Sequence, residues 1–271
     1  LAPEEDGNVD EDGTWVPGQA TTDRWTMLTS RDWDEGAEPL TAAVAGASAM
    51  RMQSQDATDE RAAWVTGKGL DYAAGLSEQS FSAKAKNNVA VILGNSMAEI
   101  EDAVTGTRDT SGAGSVSWDS RRPAILADDH SEDFKTLMKI VGTDDTALTT
   151  MTDAAGRFST ARTQAILDAH PDAVMSVDPG TAESNDSPYL KEELQTGISN
   201  DGIILGFIEQ SAVNGRKKQG EDEAAAEKTV ASTILGAVTK GLSFVPNPYA
   251  QGLGTAIPSA SPGITSATGK P

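Results

Sequence analysis

Apolar residues recur at intervals of three and four along most of this chain, which is the spacing of an amphipathic α-helix. The clearest case is residues 82–104, where acidic side chains occupy the opposite face. Its apolar positions are Val89, Ile92, Leu93, Met97, Ile100 and Val104. The run 89–93 alone would also fit a buried strand. Taken together, the spacing predicts one helix over 82–104.

The same spacing predicts helices on both sides of this segment. Asp23 can cap a short first helix, and Ser131 and Gly142 bracket another as N-cap and stop signal. Further helices are expected over 40–52, 57–76, 143–170 and 221–243, and another begins near Pro188. The apolar stripe over 203–212 belongs to that helix or to a successor that begins after Asp201-Gly202. Nothing repeats at a fixed period. The predicted fold is therefore all-α, a multi-helix bundle of about eight helices with extended N- and C-terminal arms.

Composition divides the chain into three parts. Residues 1–22 are acidic and rich in Gly and Pro, which predicts a flexible arm. Residues 23–243 form the helical domain, with a Gly- and Ser-rich stretch at 105–121 that predicts a long internal loop. Residues 244–271 are small and rich in Pro, Ser and Gly, which predicts an extended tail.

The net charge and the residue composition exclude several kinds of site and of partner. The 271 residues carry a formal charge of −20, no cysteine and two histidines, His130 and His170. Thiol nucleophiles, zinc-thiolate sites and disulfides are thereby excluded. A polyanion is repelled by nucleic acid and by anionic membranes, so neither is expected as a partner. No apolar run approaches the ~20 residues that a membrane-spanning helix needs.

Two local patterns suggest chemistry. His130 follows Asp128 and Asp129, and a carboxylate beside an imidazole can orient it as a general base. A hydrolase using His130 with one of these carboxylates and a serine brought near by folding is therefore one alternative. His170 lies at a predicted helix end, a favourable place for a cation. A calcium-responsive module is the second alternative, with oxygen ligands at alternate positions before Gly13 but Gln19 where a calcium loop has Glu. Its ligands would be Asp6, Asn8, Asp10 and Asp12.

The leading hypothesis is a non-catalytic scaffold or protein-interaction component of an exported or multi-subunit assembly. It assigns no catalytic residue, no cofactor and no metal ligand, and its partner is another protein or a second copy of the chain. Aromatic side chains in loop-like segments and a basic cluster beside acidic residues are the candidate interface. These residues are Trp15, Trp33, Trp118, Arg216, Lys217 and Lys218.

Three segments carry a resemblance to a known family. Residues 25–28 lead into Arg31-Asp32-Trp33 and an alanine-rich stretch at 40–44, and later blocks lie at 91–100 and 133–140. Together they resemble an uncharacterised actinobacterial all-helical domain family associated with WXG-type, type VII-like secreted proteins. The resemblance spans about 23–243 and implies a piece of a longer, exported protein, which fits a chain opening at Leu1. It implies no catalytic residue, and it favours a secreted or cell-surface location.

Overall fold

The computed structural model describes residues 6–11, 15–31, 36–51, 57–106, 126, 128–169 and 188–242. Within these ranges the chain is an all-α bundle with one small antiparallel hairpin, so the predicted fold class is confirmed. The strands are β1 (Gly7–Val9) and β2 (Trp15–Pro17). The helices are α1 (Gln19–Thr29), α2 (Glu38–Met50), α3 (Ala57–Ala74), α4 (Ala83–Gly94), α5 (Met97–Thr105), α6 (Ser131–Val141), α7 (Asp145–Ala169), α8 (Pro188–Lys218) and α9 (Glu223–Leu242), with a 3₁₀ turn at Glu78–Ser80.

The single helix predicted over 82–104 is two helices in the structure. α4 ends at Gly94 and α5 begins at Met97. The two polar side chains between them, Asn95 and Ser96, form hydrogen bonds with α2 and α4. Asn95 donates to the Ser48 hydroxyl at 2.9 Å, and Ser96 donates back to the Ile92 carbonyl at 3.0 Å. Such side-chain bonds compete with the helix ladder, which explains a break that apolar spacing does not reveal.

The N-terminal hairpin lies inside the segment expected to be a flexible arm. Trp15 of β2 is only 3% exposed, and its ring meets Trp64 of α3 edge-on at 5.4 Å. Gly7 in β1 has φ +138°, and a Cβ there would lie 2.4 Å from the Trp15 ring. The described part of the arm is thus anchored on α3 by an aromatic contact, and α1 starts at Gln19 rather than beside Asp23.

The core is aliphatic and centres on α4 and α7, which pack on each other. α2 and α6 also contact α4, while α8 and α9 contact α7. α6 and α8 approach backbone to backbone. A Cβ on Gly142 would lie 2.3 Å from the Ala212 Cα, and one on Gly215 would lie 2.1 Å from the Lys139 carbonyl oxygen. Glycine at both positions therefore sets how closely these two helices pack.

Candidate functional site

His130 occupies the N-cap position of α6 and is 4% exposed. Its Nδ1 lies 2.9 Å from Asp133 Oδ2 and 3.3 Å from Asp71 Oδ1. Asp133 reaches the ring because residues three apart share a helix face, whereas Asp71 comes from α3. One imidazole nitrogen therefore faces two carboxylates from two helices.

The other edge of the imidazole lies against α3. A Cβ added to Gly67 would sit 2.9 Å from His130 Nε2, so the ring packs where that helix lacks a side chain. Asp129, one of the two expected partners, instead accepts from the Ser131 backbone N–H at 2.9 Å and from the Ser131 hydroxyl at 2.5 Å. The pairing of His130 with Asp128 or Asp129 in the hydrolase alternative is therefore replaced by a pairing with Asp133 and Asp71.

A cavity of about 280 Å³ lies beside His130. Four of the residues that line it are acidic, namely Glu99, Asp102, Asp128 and Asp129, and they lie beside His130, Ser131 and apolar residues such as Phe134. Closely spaced carboxylates around a concave surface concentrate negative potential there, which attracts cations.

Lys68 of α3 is one cation beside this cavity. Its Nζ lies 3.2 Å from Asp71 Oδ2 and 3.6 Å from Asp128 Oδ2. Burial acts to lower the pKa of Lys68, but the hydrogen bond and negative charge of Asp71, together with Asp128, outweigh it and raise that pKa. Lys68 therefore stays charged and holds the Asp71 oxygen that does not face His130.

Arg162 of α7 joins three helices from a buried position, 6% exposed. Its guanidinium pairs with Glu101 of α5 and Asp201 of α8, donates to the Gly197 carbonyl at 2.7 Å, and stacks 5.3 Å from the Phe158 ring. One guanidinium thus serves two carboxylates, which leaves the cluster with net negative charge.

Asp201 of this cluster has a perturbed pKa. Burial raises the pKa of Asp201 above its ordinary 3.8, and the Glu101 charge adds to the rise. The Arg162 charge and hydrogen bonds from Ser159 and Arg162 act in the opposite direction without cancelling the burial effect. The carboxyl therefore takes up a proton more readily in the folded chain than in water.

A second buried arginine lies near the acidic cavity. Arg51 is fully buried, pairs with Glu99 and donates to the Ser96 hydroxyl at 3.2 Å. Burial and the charge of Asp59 raise the pKa of Glu60, while Arg51 acts to lower it. The second oxygen of Glu99, Oε2, is buried and accepts no hydrogen bond. Glu99, which also lines the cavity beside His130, therefore has one oxygen paired with Arg51 and one without a hydrogen bond.

The basic residues of the candidate interface fall in different environments. Arg216 is buried, donates to the Gly142 carbonyl at 2.7 Å and pairs with Asp145 at 2.5 Å. Lys217 is exposed and pairs with Glu223 at 2.5 Å, and Lys218 is exposed. Arg216 thus connects α8 to the start of α7, so only the two lysines remain as surface candidates.

The tryptophans of the candidate interface can be compared in the same way. Trp15 is buried against Trp64, so it belongs to the interior of the chain rather than to a surface. Trp33 and Trp118 lie outside the described residues.

The calcium alternative places its ligands on the hairpin. Asp6 Oδ1 accepts from Arg24 Nη1 at 2.9 Å, and Asn8 lies in β1, opposite Val16. Asp12 lies outside the described residues. An extended strand spreads these oxygens along the hairpin, whereas a calcium loop wraps its ligands around one point.

One exposed surface of α8 was not predicted from the sequence. Over residues 195–206, α8 presents an exposed, uncharged strip, which we name the α8 outer face. Ile198 is 53% exposed and Ile203 43%, and nothing lies within 4 Å of the Cβ positions of Gly202 and Gly206. The α8 outer face consists of Gln195, Ile198, Ser199, Gly202, Ile203 and Gly206.

The apolar spacing along the chain gave only a weak indication of this face. Ile203 opens the apolar stripe over 203–212, of which Ile204, Ile208 and Ala212 are buried. In a helix, residue 203 lies about 100° from residue 204, so one of the pair faces outward when the other faces inward.

The fold and these sites define an acidic, all-α protein whose helices are joined by buried arginine–carboxylate clusters. The chain belongs to a family of unknown function, DUF6571, which it matches over residues 1–268. No curated protein and no solved structure matches it. Among the described residues, the helices are too short or too polar to cross a membrane. The association with WXG-type secretion stays a prediction.

Proposed function

We propose that this chain is a non-catalytic scaffold that binds a helix of another protein along the α8 outer face. The observation that supports this most directly is the exposure of Ile198 and Ile203 beside two open glycines on a chain of net charge −20. On α8 itself, the strip is bounded by two exposed acidic residues, Glu192 and Glu209. An uncharged strip on such a surface is a place where a partner can approach without desolvating charges.

The glycines suit a helical partner. Gly202 and Gly206 are four residues apart and so lie on one side of α8, one turn from each other. The chain already uses glycine for close helix contact, since Gly215 packs directly on the Lys139 backbone. The same device at the outer face would let a second helix approach α8 closely, with Ile198 and Ile203 packing on its flanks.

The placement of the buried charges also favours a scaffold. Arg51, Arg162 and Arg216 each connect two or more helices through ion pairs or carbonyl contacts. These contacts hold helices in fixed positions, as a platform for binding requires. His130 is engaged on both ring edges, which favours a packing role over that of a base acting on a substrate. Participation in an exported assembly is part of the same proposal and is carried by the resemblance alone.

Site-specific crosslinking tests the proposal. The chain contains no cysteine, so Ser199→Cys provides a single attachment point for a photo-crosslinker within the α8 outer face. Ser232→Cys, exposed on α9, is the matched control. Each labelled protein is added to an extract of its native host, and adducts are identified by mass spectrometry.

We expect a defined adduct from Ser199→Cys that is lost when Ile203→Asp is added and is not formed by Ser232→Cys. An adduct of twice 28.2 kDa would identify a second copy of the chain as the partner. Equal adducts from both positions, or none from Ser199→Cys, would refute the assignment of the α8 outer face as a docking surface.

A further inference from the structure

We propose that Asp71, His130 and Asp133 form a binding site for a divalent transition-metal ion. This inference is independent of the scaffold function, because the three residues lie on α3 and at the start of α6 and none belongs to the α8 outer face. Each supplies one donor atom, and the three atoms lie within 4.8 Å of one another.

The spacing of the donors suits a small metal ion. Zinc binds imidazole nitrogen and carboxylate oxygen at about 2.0–2.2 Å, which places two tetrahedral ligands about 3.3 Å apart. His130 Nδ1 lies 2.9 Å from Asp133 Oδ2 and 3.3 Å from Asp71 Oδ1. A metal ion could therefore replace the ring proton with small movements of the carboxylates, and Asp71 is accessible to solvent.

The number of protons available at His130 Nδ1 also favours a cation between the imidazole and the two carboxylates. Nδ1 can carry only one proton, whereas two carboxylates face it. The Lys68 ammonium binds Asp71 through Oδ2, so it leaves the Oδ1 atom available to a ligand. A dication bound to Nδ1 would neutralise both carboxylates at once.

An independent observation comes from the adjoining cavity. Its wall includes His130 and Glu99, and the buried Oε2 of Glu99 has no hydrogen-bond partner. Asp102, Asp128 and Asp129 line the same space. The cavity shares His130 with the donor set, and its carboxylates place a negative potential beside the ring that attracts a cation.

The donor chemistry indicates the class of metal. Imidazole favours zinc, iron, nickel and copper over magnesium and calcium, which prefer all-oxygen sites. One nitrogen and two carboxylate oxygens fit a first-row dication such as Zn²⁺, with Co²⁺ as its spectroscopic substitute. Nδ1 would bind the metal while Nε2 carries the proton against α3 at Gly67.

The test measures Zn²⁺ binding by calorimetry and Co²⁺ binding by visible absorption, using the full chain. Asp71→Asn keeps the side chain's shape but removes a ligand charge, and we expect it to weaken Zn²⁺ binding by at least roughly tenfold. Asp128→Asn is the matched control: it removes the same charge from a group that also faces Lys68 but supplies no ligand. We expect its affinity to stay close to that of the wild type. Far-ultraviolet circular dichroism verifies that both variants fold.

Nuclear magnetic resonance of the imidazoles adds a direct readout, since the chain has only two histidines. Zn²⁺ should shift the His130 Nδ1 resonance, with His170 as the internal reference. The proposal is overturned if millimolar Zn²⁺ leaves that resonance unchanged. It is also overturned if Asp128→Asn weakens binding as much as Asp71→Asn, because that would show diffuse attraction to an acidic surface.

Discussion

Replacing Arg162 with methionine should destabilise the fold strongly. Methionine keeps most of the apolar stem but removes the guanidinium that pairs with Glu101 and Asp201 and donates to the Gly197 carbonyl. The two carboxylates would then face each other with no cation between them. Removing one partner of a buried ion pair costs about 3–5 kcal/mol, because a buried charge is left uncompensated. We expect Arg162→Met to lower the free energy of unfolding by that amount.

Urea unfolding followed by circular dichroism measures this loss. Arg157→Met is the matched control, because Arg157 is an exposed arginine on the same helix and surface substitutions usually change stability by less than about 0.5 kcal/mol. Adding Asp201→Asn to Arg162→Met should recover part of the loss, since one of the stranded charges disappears. A cost below about 1 kcal/mol for Arg162→Met, or no recovery in the double variant, would refute the view that this arginine holds the cluster together.

Three further predictions follow from the helix packing and from the pKa of Asp201. Gly215→Ala should lower the free energy of unfolding by about 1–3 kcal/mol, because its Cβ would lie 2.1 Å from the Lys139 carbonyl oxygen. Gly202→Ala, with open space at its Cβ, should instead raise it by up to about 1 kcal/mol, and urea unfolding compares the two. The pKa of Asp201 is raised in the folded chain. The free energy of unfolding of the wild type minus that of Asp201→Asn should therefore be greatest below pH 3.8, the ordinary pKa of the group. This difference should fall as the pH rises through the raised pKa. Unfolding measured at several pH values would contradict this if the difference grew with pH.

Most of the helical fold was predictable because apolar spacing reports directly on burial. The helix predicted between Ser131 and Gly142 is α6, although His130 rather than Ser131 is its N-cap residue. The helix predicted over 143–170 is α7 to within two residues. The break between α4 and α5 was not predictable in this way. It depends on Asn95 and Ser96 finding partners on α2 and within α4, and one of those partners is 47 residues away in sequence.

The candidate metal site was harder to predict from the sequence, because its ligands come from helices that are distant along the chain. His130 and its acidic neighbours were recognised, but sequence proximity indicated Asp128 and Asp129. The helix beginning at Ser131 turns Asp133 toward the ring instead, and α3 brings in Asp71 from 59 residues away. A spacing of three from a helix start was the only local signal available, and no local signal identified Asp71.

The two proposed sites should respond differently to salt. The metal site relies on attraction between a dication and a net charge of −20, so added sodium chloride should weaken Co²⁺ binding by screening that attraction. The α8 outer face carries no charge, whereas the rest of the acidic surface repels any acidic partner, including a second copy of the chain. Screening should therefore leave crosslinking at Ser199→Cys unchanged or increase it. A crosslink that faded with salt would show instead that the partner is basic and is held by the acidic surface, with Ile198 and Ile203 contributing little.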